Sequence, residues 1–372
     1  FPGFSFPIPN AAVPTLLTAP DGTVLYDDNA PLPFDLSTAH AVTFPSAYTG
    51  TMTLPNTTRA LRESRPGGYL SGEWSFQVND YALECATPPI SSFCSGGSTT
   101  DRYDVTVFTE PLVPRKGGLD VAVYLASDSL TASVAVESPA MRRYADTLSD
   151  LYGQAGVCVS RVTVYDLPAW AKARYATGID VEDLGPCSNF SQLFTLSQAA
   201  DELPLFFVDA IQFGGGGFGE IVGIDGAIPG PASLGGTVKS GAVVNASDLA
   251  AGRCGGDIDV GGCGADLVAY ISAHEGGHFM GLFHTTEAFG NAFDPLRDTP
   301  RCLCSTACLS AEQASLCANG QLVLTADVCS QAGNSQCAGA DNLMFWLLEP
   351  PFSRGNLSPE QGQVMRANPV VH

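Results

Sequence analysis

The sequence predicts an α+β protein, with an N-terminal β-sandwich followed by a larger unit of alternating strands and helices. Short β-rich runs separated by Pro, Gly, Asn and Ser clusters fill residues 1 to about 110, as is typical of a small sandwich. Beyond a Pro- and Gly-rich linker, strand and helix patterns alternate, which is typical of an α/β arrangement. We therefore expect an N-terminal unit, 1–116, and a C-terminal unit, 117–372.

The N-terminal unit has no helical period of useful length. Its clearest β-rich runs are Gly50–Leu54, Trp74–Val78 and Tyr103–Phe108. The stretch Glu110–Gly118 has two prolines, two glycines and the adjacent basic residues Arg115 and Lys116, and we interpret it as a linker.

The C-terminal unit opens with the apolar run Leu119–Leu125, which predicts a strand. Apolar residues then recur at spacings of three and four over Pro139–Gln154, as a helix requires. The remaining predicted elements are three strands and one helix: Val157–Tyr165, Leu205–Val208, Gly241–Asn245 and Ala265–Met280.

Charge and hydropathy exclude two classes of protein. The formal net charge is −21, so a polyanion such as DNA would be repelled and nucleic-acid binding is not expected. The sequence has no run of about 20 apolar residues, so a transmembrane segment is not predicted. The chain starts at Phe1 without a basic, apolar leader, which we interpret as a secreted protein lacking its signal peptide. We expect a monomer.

Twelve cysteines favour an oxidising compartment and six structural disulfides. Six of the cysteines fall between Cys302 and Cys337, and sequence alone does not choose among their pairings. The alternative is a second zinc site built on thiolates, but no pair of CxxC units is present.

Three of the five histidines lie in one short segment, at His274, His278 and His284. His274 and His278 are four residues apart, so on a helix their imidazoles leave the same face. A continuing helix would place His284 about 120° away from that face. Gly281 is where the helix should end, since glycine accepts the positive φ that follows many helix ends. Three imidazoles with one open position are typical of a catalytic zinc site.

Glu275 follows the first of these histidines and predicts a general base. One step along a helix turns it by about 100°, which places it beside the metal rather than among the ligands. There its carboxylate can take a proton from a metal-bound water and pass it to a leaving amine. Gly276 and Gly277 each cost the helix about 1 kcal/mol, so we expect another backbone segment to pass close by.

Residues 274–284 match the HExxHxxGxxH signature of the metzincin metallopeptidases, which the chain resembles from about 119 to 372. Asn342-Leu343-Met344-Phe345-Trp346 is similar to the Met-turn of that clan, and the segments Asp298-Thr299-Pro300 and Leu357–Gln361 resemble the bacterial pappalysin-like subfamily. The resemblance implies a twisted mixed sheet, an active-site helix and a Met-turn whose Met344 packs beneath the zinc ligands. Relatives often have Tyr where this chain has Trp346, and indole cannot act as a phenol.

The resemblance also implies a peptide substrate bound antiparallel to an edge strand. Our candidate is Gly241–Asn245, with Val243 and Val244 as substrate-binding residues; the alternative is an ordinary interior strand. The segment after the Met-turn forms the pocket for the residue following the scissile bond in metzincins. Glu349 in that segment would favour Arg or Lys there, unless it points to water and the pocket accepts Leu or Phe.

A loop after the third histidine contains Glu287, Asp294 and Asp298, which could bind Ca²⁺ because that ion takes oxygen ligands. Solvated acidic surface is the alternative. Asp257 and Asp259 form a second acidic pair with the same two interpretations.

Three functions fit the sequence. The first is an active secreted zinc endopeptidase acting on a protein or peptide substrate. The second is a binding or adhesion protein whose catalytic domain is inactive, which the complete set of ligands and Glu275 disfavours. The third is a latent zymogen in which residues 1–116 are a pro-segment; Cys85 or Cys94 would then have to block the zinc, although these two cysteines are expected to pair with each other.

Overall fold

A computed structural model describes residues 11–27, 50–63, 71–81, 105–108 and 114–372. The last range has short gaps at 128–129, 177, 183–184, 186, 199–200, 213–219, 291–292 and 351. The expected pair Cys85 and Cys94 and most of the expected linker lie outside the described residues.

The described part of the N-terminal unit contains one antiparallel sheet and a short helix. The elements are β1 Ala11–Thr18, β2 Val24–Asp27, α1 Thr58–Glu63 and β3 Ser75–Tyr81, with sheet order β2-β1-β3. Strand β3 agrees with the prediction over Trp74–Val78, but a second sheet, and hence the sandwich, is not seen in the part of this unit that the structure describes.

Two of the predicted strands are wrong where they can be checked. Residues 105–108 are not in a strand, and 50–54 are irregular and lead into α1. The reason for the second error is tertiary: the Thr51 hydroxyl donates to the carbonyl of Pro229, and Thr53 is buried. This segment therefore packs on the C-terminal unit and does not pair with β1.

A five-stranded mixed sheet forms the centre of the C-terminal unit. Its order is β5-β4-β7-β10-β9, in which only β9 is antiparallel to its neighbour. A two-stranded parallel sheet pairs β6 with β8. The strands are β4 Gly117–Leu125, β5 Val157–Asp166, β6 Ile179–Asp180, β7 Leu203–Val208, β8 Ile211–Gln212, β9 Gly223–Asp225 and β10 Ala242–Asn245.

Helices cover both faces of this sheet. The helices of the C-terminal unit are α2 Ala132–Ala135, α3 Pro139–Gly153, α4 Ala169–Tyr175, α5 Asn189–Phe194, α6 Gly264–Phe279, α7 Ala311–Ala318 and α8 Pro359–Ala367, with a 3₁₀ turn at Val328–Ser330. Helices α3 and α6 share a core with one face of the sheet, and α4 and α5 share a core with the other. Both faces of the sheet are covered, and accordingly β7 is a continuous apolar run and β4 is one from Val121 to Leu125, as is usual for parallel strands. The predicted strands at β4, β5, β7 and β10 and the helices α3 and α6 are confirmed.

Four disulfides lie among the described residues, three of them in the segment after the third histidine. They are Cys254–Cys263, Cys302–Cys329, Cys304–Cys317 and Cys308–Cys337. Cys158 and Cys187 are exposed and unpaired, so the expectation of six disulfides is wrong for these two. Cys158 lies on the outermost strand β5, a position that the sequence pattern did not reveal. No helix in the described ranges is long and apolar enough to cross a membrane.

An ion pair between partly exposed Arg143 and fully buried Asp266 joins helices α3 and α6. The Asp266 carboxylate accepts from Arg143 Nε at 2.7 Å and Nη2 at 2.9 Å, from the Thr147 hydroxyl at 2.5 Å and from the Asp259 amide at 2.8 Å. Burial raises the pKa of the Asp266 carboxyl, but the donors, led by Arg143, outweigh it and lower the pKa below its usual 3.8. This pair fixes the first turn of the helix that carries two of the histidines.

Asp266→Asn should lower the free energy of unfolding by about 3 kcal/mol at neutral pH, because a neutral amide at this fully buried position cannot replace the carboxylate as acceptor for Arg143, Thr147 and the Asp259 amide. A folded-state pKa below the unfolded value gives stability that is present above 3.8 and is lost as pH falls through the folded pKa. The difference in unfolding free energy between Asp266→Asn and wild type should therefore become smaller in acid. Urea unfolding at several pH values measures it.

Asp120→Asn is the matched control, since its partner Arg161 has a side chain that is 61% exposed. It should cost less than about 1 kcal/mol. Equal losses for the two variants would show that the Asp266 pair has no special role.

Candidate metal centre

Helix α6 presents His274 and His278 and then ends abruptly. Gly281 has φ of +103°, its amide donates to the carbonyl of His278 at 2.8 Å, and the Leu282 amide donates to the carbonyl of Gly277 at 2.9 Å. These two bonds form a Schellman motif, which requires a left-handed residue at the Gly281 position. The predicted end of the helix is confirmed, and the reversed chain returns His284 toward the helix.

The three imidazoles meet through their Nε2 atoms. His284 Nε2 lies 3.2 Å from His274 Nε2 and 3.1 Å from His278 Nε2. Within the described ranges, these histidines are the only group of three or more His, Cys, Asp or Glu residues that could hold a metal ion. The structure therefore brings together the three residues that the sequence spacing selected.

Each imidazole is held by its other nitrogen. Nδ1 of His274 donates to the carbonyl of Leu343 at 2.7 Å, and Nδ1 of His278 donates to the carbonyl of Leu282 at 2.7 Å. Nδ1 of His284 donates to Glu287 Oε1 at 3.0 Å. Since carbonyl and carboxylate oxygens only accept, the proton of each neutral ring is on Nδ1, and each Nε2 carries a lone pair.

This donor set fits a zinc ion. Zinc–nitrogen bonds of about 2.0–2.1 Å in a tetrahedron place the nitrogens roughly 3.3 Å apart, close to the distances here. Three lone pairs directed at one point repel one another unless a cation lies between them. Burial lowers the pKa of His274 to about 3 and that of His278 well below its usual value, which keeps both rings neutral and able to bind a metal.

The glycine pair in α6 is explained by side chains that pack against it. A Cβ on Gly277 would lie 2.7 Å from the sulfur of Met344, and a Cβ on Gly276 would collide with the Tyr152 hydroxyl. The expected close approach of a backbone segment is therefore wrong. Met344, which is fully buried, instead packs directly against the helix turn between the first two histidines.

Glu275 is buried between α6 and strand β9. Its carboxylate accepts a hydrogen bond from the Asp225 amide, and a Cβ on Gly223 would lie 2.6 Å from its Oε1. Burial raises the pKa of the Glu275 carboxyl to about 8, and the bond from Asp225 opposes that rise. Strand β9 thus holds the carboxylate beside the histidines. The absence of a side chain at Gly223 leaves the space that Glu275 occupies.

The candidate strand for substrate needs correction. Strand β10, with Val243 and Val244, lies between β7 and β9, and both valines are fully buried. The edge of the sheet is β9, Gly223–Asp225. The sequence does not predict β9, because a three-residue strand containing one glycine gives almost no apolar pattern. The local signal is the apolar pair Ile221–Val222 followed by Gly-Ile-Asp. This pattern is too short to identify a strand.

Trp346 and Glu349, which follow Met344 in the chain, both form hydrogen bonds to the loop at 324–326. Glu349 Oε2 accepts from the Ala326 amide at 3.1 Å, and the Trp346 indole donates to the carbonyl of Leu324 at 2.9 Å. Glu349 is half-buried. Its bond to the Ala326 amide stabilises the disulfide-rich segment.

The three acidic residues proposed for calcium are engaged separately. Glu287 bonds to His284, Asp294 accepts from the Thr299 hydroxyl at 2.6 Å, and Asp298 accepts from the Ser358 hydroxyl and the Glu360 amide at the start of α8. Burial is the main cause that raises the pKa of Asp294 to about 8. Asp257 and Asp259 are not part of a metal group in the described chain either. The calcium expectation therefore has no support, because contacts within the fold bind these carboxylates one by one.

Comparison with solved structures finds metalloproteinase-II from Bacteroides fragilis, with 12% sequence identity and a TM-score of 0.25. The match covers 54% of this chain and 53% of that one, so the chain spans about half the length of the matched structure. No family model and no curated protein matches the chain.

Glu287→Gln should weaken zinc binding by roughly tenfold, since a neutral amide makes a weaker bond to His284 Nδ1 than a carboxylate does. Competition between the protein and a chelator of known affinity measures the change. Glu312→Gln on the exposed face of α7 is the matched control and should leave zinc affinity unchanged. Identical affinities in both variants would remove Glu287 from the support of the metal.

Proposed function

We propose that this chain is a secreted, zinc-dependent endopeptidase of the metzincin type, with the pappalysin-like subfamily as its nearest resemblance. One observation carries the proposal: three Nε2 lone pairs face one point, each fixed by an Nδ1 bond, beside a buried carboxylate. Four disulfides among the described residues support an oxidising, extracellular location.

Each residue has a defined task in this proposal. His274, His278 and His284 would hold a zinc ion, which when bound would supply a Lewis acid for the scissile carbonyl and for an attacking water. Glu275 accepts a proton on its carboxylate and donates it to the nitrogen of the leaving amine. Its burial favours the protonated carboxyl, while the Asp225 amide stabilises the carboxylate, so both protonation states are supported.

The edge strand β9 supports a substrate that is an extended peptide. The carbonyl of Val222 and the amide of Gly226 bond to the chain of β10. Because main-chain groups alternate along a strand, those of Gly223 lie on the opposite, outer edge. A peptide that paired there through its backbone would be accepted with many different side chains. We propose β9 in place of Val243 and Val244 as the substrate-binding strand.

A binding or adhesion protein with an inactive catalytic domain is less well supported. Such a protein has no need to bury a glutamate next to three converged imidazoles, since burying an ionisable group costs stability. The latent-zymogen alternative requires residues 1–116 to block the site, and the cysteines proposed for that role lie outside the described residues.

Glu275→Ala should retain zinc and lose at least about a hundredfold in turnover of a peptide substrate, the usual contribution of a general base. Metal content after dialysis and hydrolysis of a quenched fluorescent peptide library provide the two measurements. The exposed variant Glu312→Ala is the control for both. Near-normal hydrolysis by Glu275→Ala would rule the residue out as the base, and wild type without zinc would refute the site.

Glu349 remains our candidate for a preference for Arg or Lys after the scissile bond. Glu349→Gln keeps an oxygen for the Ala326 amide but removes the charge, so cleavage before basic residues should fall by about tenfold. Cleavage before Leu or Phe in the same library is the internal control and should not change. A wild-type profile dominated by apolar residues, unaltered in the variant, would contradict the preference.

A further inference from the structure

Residues 50–63, here called the N-terminal strap, are built into the C-terminal unit. Half of these residues are buried, and Leu61 belongs to the same hydrophobic core as α3, α6 and α8. The buried residues are Thr53, Pro55, Asn56, Thr57, Thr58, Ala60 and Leu61. A segment that contributes a side chain to the main core cannot leave without exposing apolar surface.

Thr58 is the polar centre of this contact. Its amide donates to the carbonyl of Pro295 at 3.3 Å, and its hydroxyl oxygen accepts from the Arg297 amide at 2.8 Å. The same hydroxyl donates to the Glu360 carboxylate. Thr58 is only 1% exposed, so breaking these bonds would leave its buried amide and hydroxyl without partners.

Glu360 connects the strap to the metal centre through α8. The next residue, Gln361, exchanges two hydrogen bonds with the Asn342 side chain, at 3.0 and 3.1 Å. Asn342 precedes Leu343, whose carbonyl accepts from His274 Nδ1. The path from Thr58 to the first histidine therefore runs through one helix turn and one loop, and each step is a direct contact.

We propose that the N-terminal strap is a permanent support of the metal centre, so that residues 1–116 are not a detachable pro-segment. The strap fixes α8, α8 fixes the loop at Asn342–Met344, and that loop orients His274. The zinc measurements below rest on the proposed function, whereas the association measurement does not.

The first experiment cuts the chain between the two units. A recognition sequence for a site-specific protease is inserted beside Arg115 and Lys116, which are exposed. After complete cleavage, the two fragments should elute together in gel filtration without denaturant and should keep the zinc content of the uncut chain. Separate elution, with zinc retained on the larger fragment, would overturn the proposal.

The second experiment removes the Thr58 hydroxyl. In the full chain, Thr58→Val keeps the shape of the side chain and should release zinc to a chelator at least about threefold faster than wild type. Thr58→Ser should restore the wild-type rate, and Thr131→Val, on an exposed residue, should not change it. Equal release by Thr58→Val and wild type would contradict the support of the metal.

The experiments distinguish failure of the proposed function from failure of the proposal about the strap. Wild type that binds no zinc refutes the metal site, and co-elution of the fragments then still decides whether the strap is permanent. If Thr58→Val does not fold, the cleaved chain decides in the same way.

Discussion

The whole site depends on one constraint, which is that three nitrogen lone pairs must be held face to face. Such an arrangement is unfavourable on its own, so each imidazole needs an independent restraint on its other nitrogen. Those restraints come from three different parts of the chain: the Leu343 carbonyl in the loop before α8, the Leu282 carbonyl in the turn after α6, and the Glu287 side chain beyond it. These three oxygens also fix the tautomer that a metal requires.

Much of the remaining architecture keeps those restraints in place. The Schellman turn at Gly281 positions both the Leu282 carbonyl and the return of the chain to His284. Asp266 fastens the start of α6 to α3, while Met344 and Tyr152 fill the space left by two glycines in the helix. The loss of helix propensity at Gly276 and Gly277 is therefore offset by close packing, which no other residue type would allow.

The sequence predicted well what depends on local spacing and poorly what depends on long-range contact. Helix α6, its end at Gly281 and the convergence of the histidines follow from the angles of a helix and the conformational freedom of glycine. The edge strand β9 has no such signal, so β10 was mistaken for it. Glu287 was assigned to calcium because a carboxylate near a metal motif suits either role, and only the bond to His284 Nδ1 distinguishes them. Only residues 50–54 of the strap are predicted as a strand, and that prediction is wrong because the contacts of the strap lie 178 positions away at Pro229 and 302 positions away at Glu360.

The burial of the strap also bears on how the protein can be made. Asn56-Thr57-Thr58 is an acceptor triplet for N-linked glycans, and the Asn56 side chain is only 6% exposed in the docked strap. A sugar chain attached to Asn56 has no room beneath the neighbouring chain, so glycosylation and docking exclude each other. In a host with a glycosylating secretory pathway, the order of events matters: a strap that docks before the transferase arrives stays unmodified, and one that is modified first is kept from docking on the C-terminal unit.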